Sequence, residues 1–154
     1  LYLARRIIRI AIEDIGIADP RAQTMALEAY QIYERLGFPE GELALSNAVI
    51  YLSIAPKSNA SYMAYNQTKS FIKDQGHFDV PIHLKNAPTK LMKDIGRSKG
   101  YVYDHDTAEG VSGQNCFPDG MKRGVYYFPV DRGNERELKK RLQYFAKIRS
   151  DRSK

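Results

Sequence analysis

Glu42-Leu43-Ala44-Leu45-Ser46-Asn47-Ala48-Val49-Ile50-Tyr51-Leu52-Ser53-Ile54-Ala55 has only Ser46, Asn47 and Ser53 as polar breaks after its first residue. The stretch predicts a helix from about Glu40 to Ala55. A helix that is apolar nearly all round must be covered on most of its sides. Either it is the central helix of a bundle, or one of its faces packs against another subunit.

Upstream, Leu3, Ile7, Ala11 and Ile15 recur every four residues, Ile8 and Ile12 widen the stripe, and Arg5, Arg9 and Glu13 lie opposite. Gly16 stops this first helix. Asp19 can cap a second one with Pro20 at its first position, where a missing N–H costs nothing. Ala22, Met25, Ala26, Ala29, Ile32, Tyr33 and Leu36 trace its apolar face, and Gly37 with Phe38-Pro39 ends it. Downstream of the central helix, Pro56 interrupts and Ser58 can cap a fourth helix running to about Gln75. Ala60, Ala64, Thr68, Phe71 and Ile72 are expected to face inward.

Beyond Gly76 the periodicity fades. Residues 77–88 look extended, and Thr89 to Ile95 makes one short helix. Residues 100–133 are rich in glycine, and Tyr101-Val102-Tyr103 and Val125-Tyr126-Tyr127-Phe128 have the composition of short strands able to pair. A last helix, Asn134 to about Arg149, has a narrow stripe of Leu138, Leu142, Phe145 and Ile148 among Lys139, Lys140, Arg141, Lys147 and Arg149. The expected architecture is mainly α, a single domain over residues 1–154. Its parts are a four-helix core (1–76), an irregular wrapping segment (77–133) and a basic C-terminal helix (134–154).

With 43% hydrophobic and 27% charged residues, the chain has the composition of a water-soluble globular domain. No apolar run reaches the roughly 20 residues that span a bilayer, so no membrane partner is expected. The single cysteine, Cys116, cannot form an internal disulfide and points to a reducing compartment. Residues 1–76 hold 8 Lys/Arg against 8 Asp/Glu, whereas residues 77–154 hold 16 against 10 and supply the entire net charge of +6. A basic half of this kind can attract phosphate backbones. Both sequons, Asn59-Ala60-Ser61 and Asn66-Gln67-Thr68, fall in the expected fourth helix and are read as chance matches. The chain opens on Leu1-Tyr2-Leu3 with no Met and no helix-capping residue. This predicts a segment of a longer protein, with any catalytic activity upstream.

No glycine loop for phosphates or dinucleotides is present. Gly96-Arg97-Ser98-Lys99-Gly100 could offer backbone N–H groups and two cations to a phosphate, or be a solvated turn. His77, His83, His105 and Cys116 have spacings that match no zinc pattern, and no metal site is expected. Asp104-His105-Asp106 resembles an acid-oriented base without an adjacent nucleophile. Glu13 and Asp14 sit in the last turn of the first helix, where the backbone dipole disfavours negative charge, so a pairing cation such as Arg9 is expected. Lys57-Ser58-Asn59 opens the fourth helix either as an anion site or as a plain cap.

Four blocks carry a resemblance: Glu13-Asp14-Ile15-Gly16-Ile17-Ala18-Asp19-Pro20-Arg21-Ala22 with Tyr33-Glu34-Arg35-Leu36-Gly37; Ala55-Pro56-Lys57-Ser58-Asn59-Ala60; Pro81 to Lys93; and Gly100 to Asp106. Together they resemble the C-terminal part of the replication-associated recombination protein A family, also called MgsA, whose eukaryotic relative is the Werner helicase-interacting ATPase. The resemblance runs from residue 1 to about 138. It departs from the family at Thr107 to Phe117, where Thr107-Ala108-Glu109-Gly110 replaces the usual Tyr-Pro-Gly-Gly.

The resemblance implies an AAA+ ATPase related to clamp loaders that acts at stalled replication forks, in DNA recombination and repair, on single-stranded DNA or duplex ends. ATP and Mg would be held by an upstream module, leaving no catalytic or cofactor-binding residue here. This chain would be the clamp-loader-collar-like helical domain through which the family forms homotetramers. Its setting would be cytoplasmic and nucleoid-associated. Glu13, Asp14, Asp19 and Pro20 would be its structural motif. As a DNA-binding module it would use Lys57, Lys85, Lys90, Lys93, Arg97 and Lys99. As a docking platform it would bind a single-stranded DNA-binding or other replisome protein. As a small hydrolase around His105 and Asp106 it would need a cleft.

Overall fold

The structure is a computed structural model that describes residues 1–152. Helix α1 spans Tyr2–Ile10 and continues into a π-helical turn over Ala11–Ile15 and a 3₁₀ turn over Gly16–Ala18. Helices α2 (Arg21–Leu36), α3 (Glu42–Ile54) and α4 (Ala60–Gln75) follow. A 3₁₀ turn at Ile82–Leu84, the short α5 (Lys90–Asp94), another 3₁₀ turn at Asp104–Asp106 and α6 (Glu135–Arg152) complete the order. The fold is mainly α, as the sequence implies.

The described residues contain no strand, which corrects the expected pairing of Tyr101–Tyr103 with Val125–Phe128. The backbone N–H of Val102 goes instead to the side-chain oxygen of Gln114, 3.1 Å away. β-Branched and aromatic residues favour a pleated surface only where a partner strand supplies one.

Two compact units divide the chain, Leu1–Ser70 with Tyr126–Lys140, and Phe71–Val125 with Arg141 onward. In the first unit, α1, α2 and α3 pack on one another. Their core is Ala4, Ile7, Ala11 and Ile15 against Ala22, Ala26 and Ala29, with Leu45, Ala48, Leu52 and Ala55 from the α3 side. The alanines allow close axial approach. Full burial of Ile15 contributes roughly 1.5–3 kcal/mol. Gly41 lets the turn between α2 and α3 close, since a methyl there would lie 2.7 Å from the Gly37 carbonyl oxygen and 2.8 Å from the Cα of Tyr33.

Several inward expectations are corrected. Leu3 and Leu36 are each 59% exposed, Ile12 is 50% exposed and Ile32 is also at the surface. The π turn widens the helix by a residue, keeping Ala11 and Ile15 inside while Ile12 swings out. Helix α4, expected as a full member of the core, buries only Ala60 among its described residues, and Ile72 is 60% exposed.

In the second unit, Thr89 caps α5 by accepting the Met92 N–H at 3.3 Å. The loop after α5 folds back on the Ile82–Leu84 turn, with Ser98 N–H donating to the Ile82 carbonyl at 3.2 Å. The divergent loop closes on α6. Gly113 lies against Arg149 and Arg152, and the Arg152 guanidinium donates to the Val111 carbonyl and pairs with Glu109.

Candidate functional site

The expected structural motif lies at the junction of α1 and α2. Arg9 Nε donates to Glu13 Oε1 at 2.8 Å, one turn along the helix, which places a cation beside the carboxylate the dipole disfavours. The Asp14 carbonyl accepts the Ser58 N–H at 2.8 Å. The buried Asp19 carboxylate accepts the Arg21 N–H at 3.2 Å, Arg21 Nε at 3.1 Å and the Tyr51 hydroxyl at 2.5 Å. It therefore ties the start of α2 to α3, with Pro20 between cap and helix. Burial pushes the Asp19 carboxyl up, but the hydrogen bonds from Arg21 and Tyr51 outweigh it and hold it below the ordinary carboxylate value. The same bond to Asp19, with burial, raises the Tyr51 hydroxyl.

Glu135, which sequence reasoning missed, is fully buried at the first position of α6. Its carboxylate accepts the Ser58 hydroxyl at 2.9 Å, the Tyr127 hydroxyl at 3.0 Å and the Val130 N–H at 2.8 Å. All three donors are neutral, and the helix N-terminus adds partial positive charge. Burial and the bond to Glu135 raise the Tyr127 hydroxyl. Ahead of it, Asn134 N–H donates to the Ala18 carbonyl at 2.8 Å and its side chain to Ile17. Gly133 sits so close to Ala18 and Pro56 that a methyl there would collide with the Ala18 carbonyl. The sequence signal was the Gly133-Asn134-Glu135 helix start, read only as a boundary.

The third helix presents two apolar faces. Leu45, Ala48 and Leu52 are buried. At 100° per residue, Leu43, Ile50 and Ile54 form a stripe on the opposite side, and they are 68%, 62% and 81% exposed. Phe38, just before the helix, is 75% exposed.

The six candidate cations separate. Lys57 is in the first unit, and its ammonium donates to the carbonyls of Leu52 and of Ala55, the latter at 3.1 Å, closing the C-terminus of α3. It lines a depression of about 400 Å³ with Asp14 and Arg132. The Ser58 hydroxyl is occupied by Glu135 and by the Ala60 N–H, as a helix cap. In the second unit, Lys93, Arg97 and Lys99 line one depression of about 490 Å³. Lys85 and Lys90 do not line it; Lys85 lends its carbonyl to the Ser98 hydroxyl, and Lys90 opens α5.

His83 Nε2 lies 3.1 Å from the Asn115 carbonyl, and the His105 ring packs on Tyr103 with centroids 4.9 Å apart. His77 and Cys116 are exposed. Among the described residues no three His, Cys, Asp or Glu side chains are grouped to hold a metal ion. Asp104, which would orient His105, accepts the Ser112 N–H at 2.6 Å, and hydrogen bonding from the Ser112 side chain, then from this backbone N–H, lowers its carboxyl from the ordinary value. No described helix is long and apolar enough to cross a membrane.

Residues 1–146 match the family described as "MgsA AAA+ ATPase C terminal". The chain belongs to this family. Relatives named replication-associated recombination protein A share its sequence. The Haemophilus influenzae protein is 50% identical over 93% of this chain, the Coxiella burnetii protein 47% over 96%, and the Escherichia coli K12 protein 44% over 95%. The matches cover 32%, 34% and 33% of those proteins, so this MgsA C-terminal chain spans about a third of the curated relatives' length. The first two resemblance blocks meet physically, through the Ser58 N–H on the Asp14 carbonyl. In this MgsA C-terminal domain they are the parts of one junction.

Proposed function

We propose that this chain is the self-association domain of an AAA+ ATPase of replication-associated recombination, and that four copies assemble through the outer face of α3. The observation that supports this is the stripe of Leu43, Ile50 and Ile54, exposed opposite the face that fills the core. Three large aliphatic side chains aligned in water on one helix are an interaction surface in waiting. The collar role implied by the family resemblance makes a second copy its natural cover. The domain performs no chemistry of its own. ATP and Mg are handled in the part of the protein outside this third, and fork or single-stranded DNA, with a single-stranded DNA-binding protein, is met by the assembled whole in a nucleoid-associated setting.

Multi-angle light scattering on the 154-residue chain at tens of micromolar tests this. A tetramer mass that falls toward the monomer in the Ile50→Glu, Ile54→Glu double variant, with helical circular dichroism unchanged, is expected. A monomer for the unmodified chain, or a tetramer untouched by the double substitution, overturns the reading.

A further inference from the structure

We propose that the contact between copies runs head to tail: the acidic start of α3 in one copy, Glu40 and Glu42, seats on a basic surface of Lys93, Arg97 and Lys99 in the second unit of the next. This contact rests on assembly through the outer face of α3 and names the surface that this face meets. The α3 stripe is apolar along its length and charged at one end. Glu40 and Glu42 are both exposed, and they lie in the chain between Phe38 and Leu43, themselves exposed. Among the described residues neither carboxylate is engaged in an ion pair. No Lys, Arg or His occurs from residue 36 to residue 56.

Two copies of α3 packed on each other leave these carboxylates without a cation in either orientation. With the helix starts together, the carboxylates of both copies gather at one end, and like charges repel. With the helices antiparallel, each start lies against the C-terminus of the other, where the backbone dipole is negative. The cation at that end, Lys57, already donates to the carbonyls of Leu52, Ser53 and Ala55. The compensating charge has to come from a different surface.

The second unit offers one. From Lys85 to Lys99 the chain has five cations and a single acid, Asp94. Lys93, Arg97 and Lys99 line one open depression of about 490 Å³ with Ala87 and Ser98. Among the described residues none of the three is engaged in an ion pair, whereas Arg9, Arg21, Lys139, Lys140 and Arg152 all are. The loop is held in shape, with the Ser98 hydroxyl on the Lys85 carbonyl at 2.8 Å. Its backbone N–H groups are taken: Arg97 donates to the Met92 carbonyl, Ser98 to Ile82 and Lys99 to Gly96. Side-chain charge is therefore what it presents, and two carboxylates on a helix start match it. The same unit also exposes Leu91 and Ile95, one turn apart, as apolar surface for Phe38 and Leu43. Complementary charge of this kind fixes which surface meets which. Each copy then gives one surface and receives on the other, a heterologous contact that closes as a ring.

The test is a charge swap read by multi-angle light scattering on the 154-residue chain, with circular dichroism reporting whether each variant stays folded. Glu40→Lys with Glu42→Lys, and separately Lys93→Glu with Arg97→Glu, should each lower the mass toward the monomer. Mixed in equal amounts, the two variants present opposite charges to each other at every contact, and the mass of four copies should return. The milder Lys93→Gln with Arg97→Gln should weaken assembly about tenfold. Lys69→Glu with Lys73→Glu on α4 makes the same change of charge elsewhere and should leave the mass unaltered. A monomeric unmodified chain sinks both this contact and assembly through α3. A tetramer that Ile50→Glu with Ile54→Glu dissolves, but that both Lys93 and Arg97 variants leave intact, overturns the head-to-tail contact alone. So does a mixture that stays monomeric, or an equal loss in the α4 variant.

Discussion

Replacing Glu135 by Ala would leave the Ser58 hydroxyl, the Tyr127 hydroxyl and the Val130 N–H without their shared acceptor inside the first unit. Orphaned buried donors cost about 1–3 kcal/mol each where no water reaches them. Glu135→Ala is therefore expected to destabilise the chain by about 3 kcal/mol in urea unfolding. Glu135→Gln, which keeps an acceptor oxygen, should lose less than half of that. The residue also shows where sequence reading stops. Glu at the start of a helix is common on a solvated surface, and nothing in Asn134-Glu135-Arg136 distinguishes a buried carboxylate. Its burial depends on Ser58 and Tyr127, brought to it by tertiary structure. Arg9 with Glu13 was legible, because both lie one turn apart on the same helix. The tie from Asp19 to Tyr51 crosses 32 positions and was not.

The helices themselves were read with boundaries close to those observed, since Gly16, Asp19-Pro20, Gly37, Pro56 and Gly76 punctuate them by local chemistry. Which side faces inward was read less well. The four-residue stripe of α1 holds at Ile7, Ala11 and Ile15, whereas Leu3 at its start and Ile12 on its flank lie at the surface. Helix α4 looked amphipathic in small residues, but small residues give little area to bury: only Ala60 is fully buried, and Ala64, Thr68 and Phe71 are half-buried. Helix α2 depends on its cap. Asp19→Ala removes the acceptor of the Arg21 N–H and should cost about 1–2 kcal/mol at neutral pH. Because the folded state holds this carboxyl below its usual value of 3.8, its contribution is complete above that pH and is lost as pH falls below it. The gap in melting temperature between Asp19→Ala and the unmodified chain should accordingly narrow on going from pH 7 to pH 3 in circular dichroism melts.

For the molecule as a whole, the uneven charge read from the sequence translates into geometry only in part. The basic half gathers Lys93, Arg97 and Lys99 at one place, while Lys57 turns to close α3. Assembly through the outer face of α3, as proposed above, would add a mass-action term to stability. The melting temperature should thus rise with chain concentration, by a few degrees over about a hundredfold range. It should be flat in the Ile50→Glu, Ile54→Glu variant.

The Ser58–Glu135 bond joins residues 77 positions apart, and the Asn134–Ile17 bond spans 117. Loop closure over such distances is entropically slow compared with docking sequential helices. As the polypeptide leaves the ribosome, α1, α2 and α3 can settle early, but the notch beside Ala18 and Pro56 stays open until the chain beyond residue 135 emerges. A truncation just ahead of Gly133 would consequently leave a nascent domain with its helices made and its closing seam missing.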